Sequence, residues 1–132
     1  MLSSVSTDGT IIVSDLEAGI GTLTRLPDDS VDVTLVVVEP TPRSIDVAQR
    51  AVLVAGERNQ GVVKIVANKI VDSDDEARIR SAFDAQDVVL VPADPVVADA
   101  DRRGMSPLDV KNDSPAAVAI VGLSNSLTER SL

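Results

Sequence analysis

Along this chain, short runs of aliphatic residues alternate with longer stretches in which apolar positions recur every three or four residues. That rhythm predicts βαβ units and a parallel sheet covered by helices. Thr10–Ser14 reads as a first strand, followed by a short helix near Ile20–Arg25. Val33–Val38 (VTLVVV) is apolar almost throughout, as in a strand buried on both faces, and Glu39-Pro40-Thr41-Pro42 stops it. A helix is expected over Ser44–Asn59, with Ser44 as its cap and Ile45, Ala48, Val52 and Ala55 on one face. Val62–Ala67 is the third strand, opened by Gly61 and leading into Asn68-Lys69-Ile70. An acidic run, Asp72–Asp75, supplies a cap for a helix over Asp75–Phe83. Val88–Val91 is a fourth strand ended by Pro92, and a helix over Val96–Arg103 stops at Gly104. Pro107 marks a loop, and the last helix covers Ala116–Leu127. The expected fold is α/β in three layers, a mostly parallel sheet of about four strands flanked by helices. The pattern shows no internal repeat or linker, so residues 1–132 are expected to form a single domain.

Composition sharpens this picture. Of the 132 residues only Phe83 is aromatic, so Val, Ile, Leu and Ala must build the core, as in a parallel sheet covered on both faces. A net charge of −9 argues against nucleic acid and anionic membrane as partners, since both are bound through basic patches. The absence of cysteine excludes a disulfide, a thiolate metal site and a cysteine nucleophile. With no histidine, the usual general base and the commonest metal ligand are missing. No apolar run is long enough to span a bilayer. The start, MLSSVSTDGT, lacks the pattern of a secretory signal, so a cytoplasmic location is expected.

Four places hold candidate chemistry. Asp15 follows the run IIVS and precedes Gly19. In P-loop nucleotidases an acidic residue at a strand end helps hold Mg²⁺, and a nearby glycine lets a backbone N–H approach the terminal phosphate. The competing reading makes Asp15 a helix cap and Gly19 a turn residue. Asn68 and Lys69 stand at the carboxyl end of a buried strand, where ligands of open α/β sheets bind. An Asn side chain there can both donate to and accept from a purine edge, or it can satisfy loop backbone. Pro92, Ala93 and Asp94 form a rigid turn that either flanks a base or simply ends a strand. Glu39, Thr41, Arg43 and Ser44 share the same rim, with Arg43 either meeting an anion or lying solvated.

In order and together, these segments resemble the carboxy-terminal part of the MinD/ParA-type deviant P-loop ATPases. Within that group the resemblance is greatest to the CooC-type accessory ATPases of nickel insertion into carbon monoxide dehydrogenase. It is carried by DLEAGIGTL (Asp15–Leu23), VVVEPTPRSIDVAQR (Val36–Arg50), IVANKI (Ile65–Ile70) and VPADPVVADADRRGMSPLD (Val91–Asp109). The resemblance implies a partial P-loop NTPase fold that binds ATP or ADP with Mg²⁺. It makes Asp15 the Walker B aspartate, acting on the metal through water, and Gly19 the switch II glycine. It sets Asn68, with Lys69 beside it, at the adenine edge, and Pro92, Ala93 and Asp94 near the base.

The departures are equally specific. G-x-x-x-x-G-K-[S/T] occurs nowhere in the chain, and neither does the deviant loop with its two lysines. The Cys-x-Cys pair of the CooC-type proteins is absent, which excludes carriage of metal by thiolates. A phosphate loop supplies most of the phosphate affinity through its lysine and its nest of N–H groups. Weak or no nucleotide binding by this chain alone, and no measurable hydrolysis, are therefore expected. In the resembled ATPases the phosphate-loop strand lies in the sheet beside the Walker B strand. Without it backbone groups go unpaired, at a cost of about 1–3 kcal/mol each where buried. The expectation is a homo-oligomer, or a partner chain that supplies the missing strand. The alternatives are a protein-interaction or scaffold module without nucleotide and, less well matched, a receiver-like domain, for which no lysine follows the Val88–Val91 strand.

Overall fold

The computed structural model describes residues 9–16 and 20–129. Its sheet is built from β1 (Val33–Val38), β2 (Val62–Ile70) and β3 (Asp87–Pro92), all parallel, in the order β1-β2-β3. Helix α1 (Ile20–Arg25) precedes β1, α2 (Pro42–Glu57) joins β1 to β2, and α3 (Ser73–Ala82) joins β2 to β3. Then follow α4 (Pro95–Arg102), the single turn α5 (Pro107–Val110) and α6 (Pro115–Glu129). The fold is α/β, and the sheet is of the parallel type expected.

Alternation along the strands sorts side chains to two faces. Val36 and Val38 of β1, Ile65 and Ala67 of β2 and Leu90 of β3 face α2 and α3, where Ala48, Ile79 and Phe83 close the larger core. Val66, Val89 and Val91 face the other way and pack on Ala116, Ala119, Leu123 and Leu127 of α6. From α2, Ala48 joins this core and Ile45, Ala51 and Val52 pack against it.

The helices begin where the sequence dictates. Each of α2, α4, α5 and α6 starts on a proline, whose fixed φ and missing N–H suit the first helical position. The α2 cap is Thr41, which accepts from the Ser44 N–H at 3.3 Å, and not Ser44 as its side-chain type suggested. Ser44 Oγ instead accepts the Glu39 N–H at 2.9 Å and ties α2 back to the end of β1. Asp72 caps α3 by accepting from the Asp75 N–H at 2.9 Å, while Asp75 reaches back to accept the Val71 N–H, one residue before the cap, at 3.0 Å.

Two expectations are corrected. Thr10–Ser14 forms no strand, so the sheet has three strands among the described residues and not about four. Ile11 and Val13 are 65% and 87% exposed. An apolar run becomes a strand only when a neighbour completes its hydrogen bonds, and none of the described strands pairs with it. Pro107, read as a loop marker, opens α5 under the cap of Ser106.

Candidate functional site: the carboxyl rim of the sheet

The three strands end side by side. Val38 is opposite Ala67, and Ile70 is opposite Pro92. Between Ala67 and Ile70 the register slips, with β2 spending three steps where β3 spends two. Lys69 absorbs the slip by taking the left-handed conformation, φ 59°. The bulge turns Asn68 and Lys69 into the rim, while the Ala93 N–H donating to the Ile70 carbonyl at 2.8 Å holds β3's continuation alongside.

Glu39, the first residue past β1, accepts from Lys69 Nζ at 2.7 Å and so fastens the end of β1 to the bulge. Asn68 is half-buried, and its amide makes no hydrogen bond to any described residue. An amide with one free acceptor and free donors, held at the end of the central strand, suits a ligand edge that offers both. Arg43, exposed at the start of α2, forms no ion pair among the described residues.

Asp94 is engaged in holding two helix starts. Its Oδ1 accepts the Val96 N–H at 2.9 Å and its Oδ2 accepts the Ala116 N–H at 3.0 Å, so one carboxylate caps both α4 and α6. The Ala116 and then the Val96 N–H hold its pKa below the ordinary value of 3.8; burial opposes them, and Ser114 and Lys111 add lesser support. Asp followed by Pro is a helix-start signature, and it was the signal in the sequence for this role. The loop Pro92–Asp94 is thus rigid because α6 is anchored through it.

Asn68, Lys69, Pro92 and Asp94 thus stand at the carboxyl ends of β2 and β3, and Glu39 at the end of β1 is paired with Lys69. Asp15 is exposed in the segment without secondary structure and forms no hydrogen bond or ion pair among the described residues. Gly19 lies outside the described residues. Among the described residues no three acidic or histidine side chains cluster as a metal site would need. The rim thus offers an amide with donors and an acceptor at Asn68 beside the Lys69 ammonium, which is already paired with Glu39. An open apolar groove lined by Val52, Leu53, Ala82 and Phe83 lies between α2 and the turn before β3.

The arrangement is a MinD/ParA-like P-loop ATPase-type fold. The MinD cell division protein of Aquifex aeolicus superimposes with a TM-score of 0.63 at 22% identity, over 76% of this chain and 45% of that one. MinD in the MinC:MinD complex of the same organism gives 0.61 at 23% identity, over 74% of this chain and 43% of that one. In sequence, the chain is 30% identical over 118 residues to MJ0823 of Methanocaldococcus jannaschii, described as an uncharacterized ATP-binding protein, covering 87% of this chain and 45% of that protein. A second protein of that organism with the same description, MJ0547, is 28% identical over 120 residues, 89% of this chain and 46% of that protein. The chain thus spans a little under half the length of the curated relatives it matches. No protein-family profile matches it. Among the described residues no helix is long and apolar enough to cross a membrane.

Proposed function

We propose that this chain is a partial MinD-like nucleotide-binding domain that keeps the base-side wall of an ATP or ADP pocket. The observation that carries the reading is Asn68: a half-buried amide without a protein partner, at the carboxyl end of the central strand. Lys69 and the Pro92–Asp94 loop flank it, and the two sequence relatives are described as ATP-binding. In this reading Asp15 serves Mg²⁺ through water and Gly19 lies near the terminal phosphate. Mg²⁺ would offset the repulsion between the Asp15 carboxylate and the polyphosphate. The phosphate cradle is not encoded here, so the chain alone binds nucleotide weakly and does not hydrolyse it. In this reading hydrolysis needs phosphate-binding groups that these 132 residues do not contain. The CooC-like segments favour a role beside a metalloenzyme in the cytoplasm, with the missing Cys-x-Cys pair ruling out thiolate transfer.

Titration calorimetry of the chain with Mg-ATP and Mg-ADP tests this. Affinity in the micromolar to millimolar range that Asn68→Ala abolishes supports a residual base site. No heat with either nucleotide, at concentrations well into the millimolar range, overturns it. The open edge of β1 favours a second reading, a protein-interaction module that no longer binds nucleotide.

A further inference from the structure

We propose that the outward face of α6, centred on Val121 and Gly122, is a docking surface for a second copy of this chain, the two helices packing antiparallel about a two-fold axis. Ala116, Ala119, Leu123 and Leu127 of α6 pack toward the sheet. At 3.6 residues per turn, Val118, Val121 and Asn125 lie about half a turn round from Leu123 and so point away from the sheet. An added strand of the sheet would not cover that face. Val118 is nevertheless 57% exposed and Val121 40%. The first nine residues of α6, PAAVAIVGL, are apolar all round, and no ionisable side chain occurs from Pro115 to Thr128. A surface helix ordinarily sets charged residues on its solvent side, whereas one that is apolar on every side belongs in an interior or an interface.

The occupant is a second copy because this face complements itself in shape and charge. With the axis between Val121 and Gly122, each Val121 meets the Gly122 of the other copy, and each Val118 stands opposite an Asn125. A Cβ on Gly122 would meet nothing within 4 Å in the single chain, so the space over it is open to the valine. Glu129, the one ionisable residue of α6, arrives at the amino end of the other copy's α6. The helix dipole is positive there, and Lys111 and Asp113 just before it offset each other. Each copy carries a net charge of −9, so an uncharged face is where two copies approach with least repulsion. A basic foreign partner would gain no attraction from it. One helix face buries less than the roughly 1,200–2,000 Å² of stable interfaces, so the dimer is weak. None of this depends on nucleotide.

Sedimentation equilibrium of the whole chain, without nucleotide, tests this. The mass should be that of a monomer at low micromolar concentration and rise toward twice that value near millimolar. The contact is uncharged while the copies repel each other, so going from about 0.02 M to about 0.5 M NaCl should tighten association about threefold or more. Val118→Lys and Val121→Lys should each weaken it about tenfold or more with the thermal midpoint unchanged, since both side chains point to water. Val71→Lys, 75% exposed just past β2, should leave association as it is. Gly122→Ala adds a methyl where the single chain has room, so it should keep the fold and weaken association about tenfold. The chain has no cysteine, so Val121→Cys, placed beside the axis, should oxidise to a covalent dimer faster than Val71→Cys does. A monomer mass near millimolar concentration at the higher salt overturns the proposal. So does an association that both lysine substitutions on α6 leave intact, or one that salt weakens.

Discussion

The Lys64 ammonium lies 2.7 Å from the Asp87 carboxylate, and the two sides of the pair are unequal: the Lys64 side chain is 5% exposed, that of Asp87 52%. Lys64 points to the α6 face of the central strand, in register beside Leu35. Removing one partner of such a pair leaves the other charge stranded in the sheet, while replacing the lysine by an apolar residue removes the problem with it.

Asp87→Ala is therefore expected to destabilise the fold by about 2 kcal/mol, below the roughly 3–5 kcal/mol of a fully enclosed pair because Asp87 is open to water. Lys64→Met should cost less than about 1 kcal/mol or stabilise. Urea midpoints of the two variants check the order; equal losses would show the ion pair to be a net contributor rather than a burden.

Gly61 joins α2 to β2 with φ +69°, and a Cβ there would overlap the Asp32 carbonyl. Gly104 also has positive φ, +64°, but a Cβ would meet nothing within 4 Å. Gly61→Ala is expected to cost well over 2 kcal/mol, from strain and overlap together, and Gly104→Ala about 1 kcal/mol, from strain alone. Thermal denaturation of both variants separates the two contributions; similar shifts would mean the loop around Asp32 moves away freely.

Much of the fold was legible because each strand is an aliphatic run bounded by turn residues, and each helix has its starting signal. β1, β2 and β3 fall where VTLVVV, VVKIVA and VVLV stand, with boundaries off by a few residues. Thr10–Ser14 shows the limit: pairing is a property of two segments, and a run such as IIVS cannot report whether a neighbour is present. The rim was readable in part. Asn68 and Lys69 at a strand end follow from the pattern, but the bulge does not, because a lysine at positive φ runs against its own preference and is imposed by the register between β2 and β3. Asp94 was readable as a cap, since Asp-Pro opens helices, yet its second hydrogen bond crosses to α6 and needed the tertiary structure.

That double cap carries a pH dependence. The folded-state pKa of Asp94 is lowered below 3.8, first by the Ala116 N–H and then by the Val96 N–H. A depressed carboxylate stabilises the fold above its unfolded value and loses that contribution as pH falls through the folded value. Asp94→Asn keeps one acceptor and loses the charge. Its melting temperature should lie several degrees below that of the unmodified chain at pH 7, with the gap narrowing below about pH 4. A gap independent of pH would assign the loss to geometry alone.

Lys69 separates the structural and ligand roles of the rim most cleanly. Its left-handed backbone costs about 1 kcal/mol for a non-glycine residue, and Lys69→Gly removes that strain. The substitution also deletes the 2.7 Å ion pair with Glu39. Both side chains of that pair are substantially exposed, so the pair is worth about 0.5 kcal/mol or less. The two effects oppose each other, and the urea midpoint should move little. If Lys69 contacts the nucleotide beside Asn68, calorimetry with Mg-ADP should show affinity falling about threefold or more at unchanged stability. Unchanged affinity would confine Lys69 to shaping the bulge that presents Asn68, and a large loss of stability would show that the Glu39 pair holds the ends of β1 and β2 together.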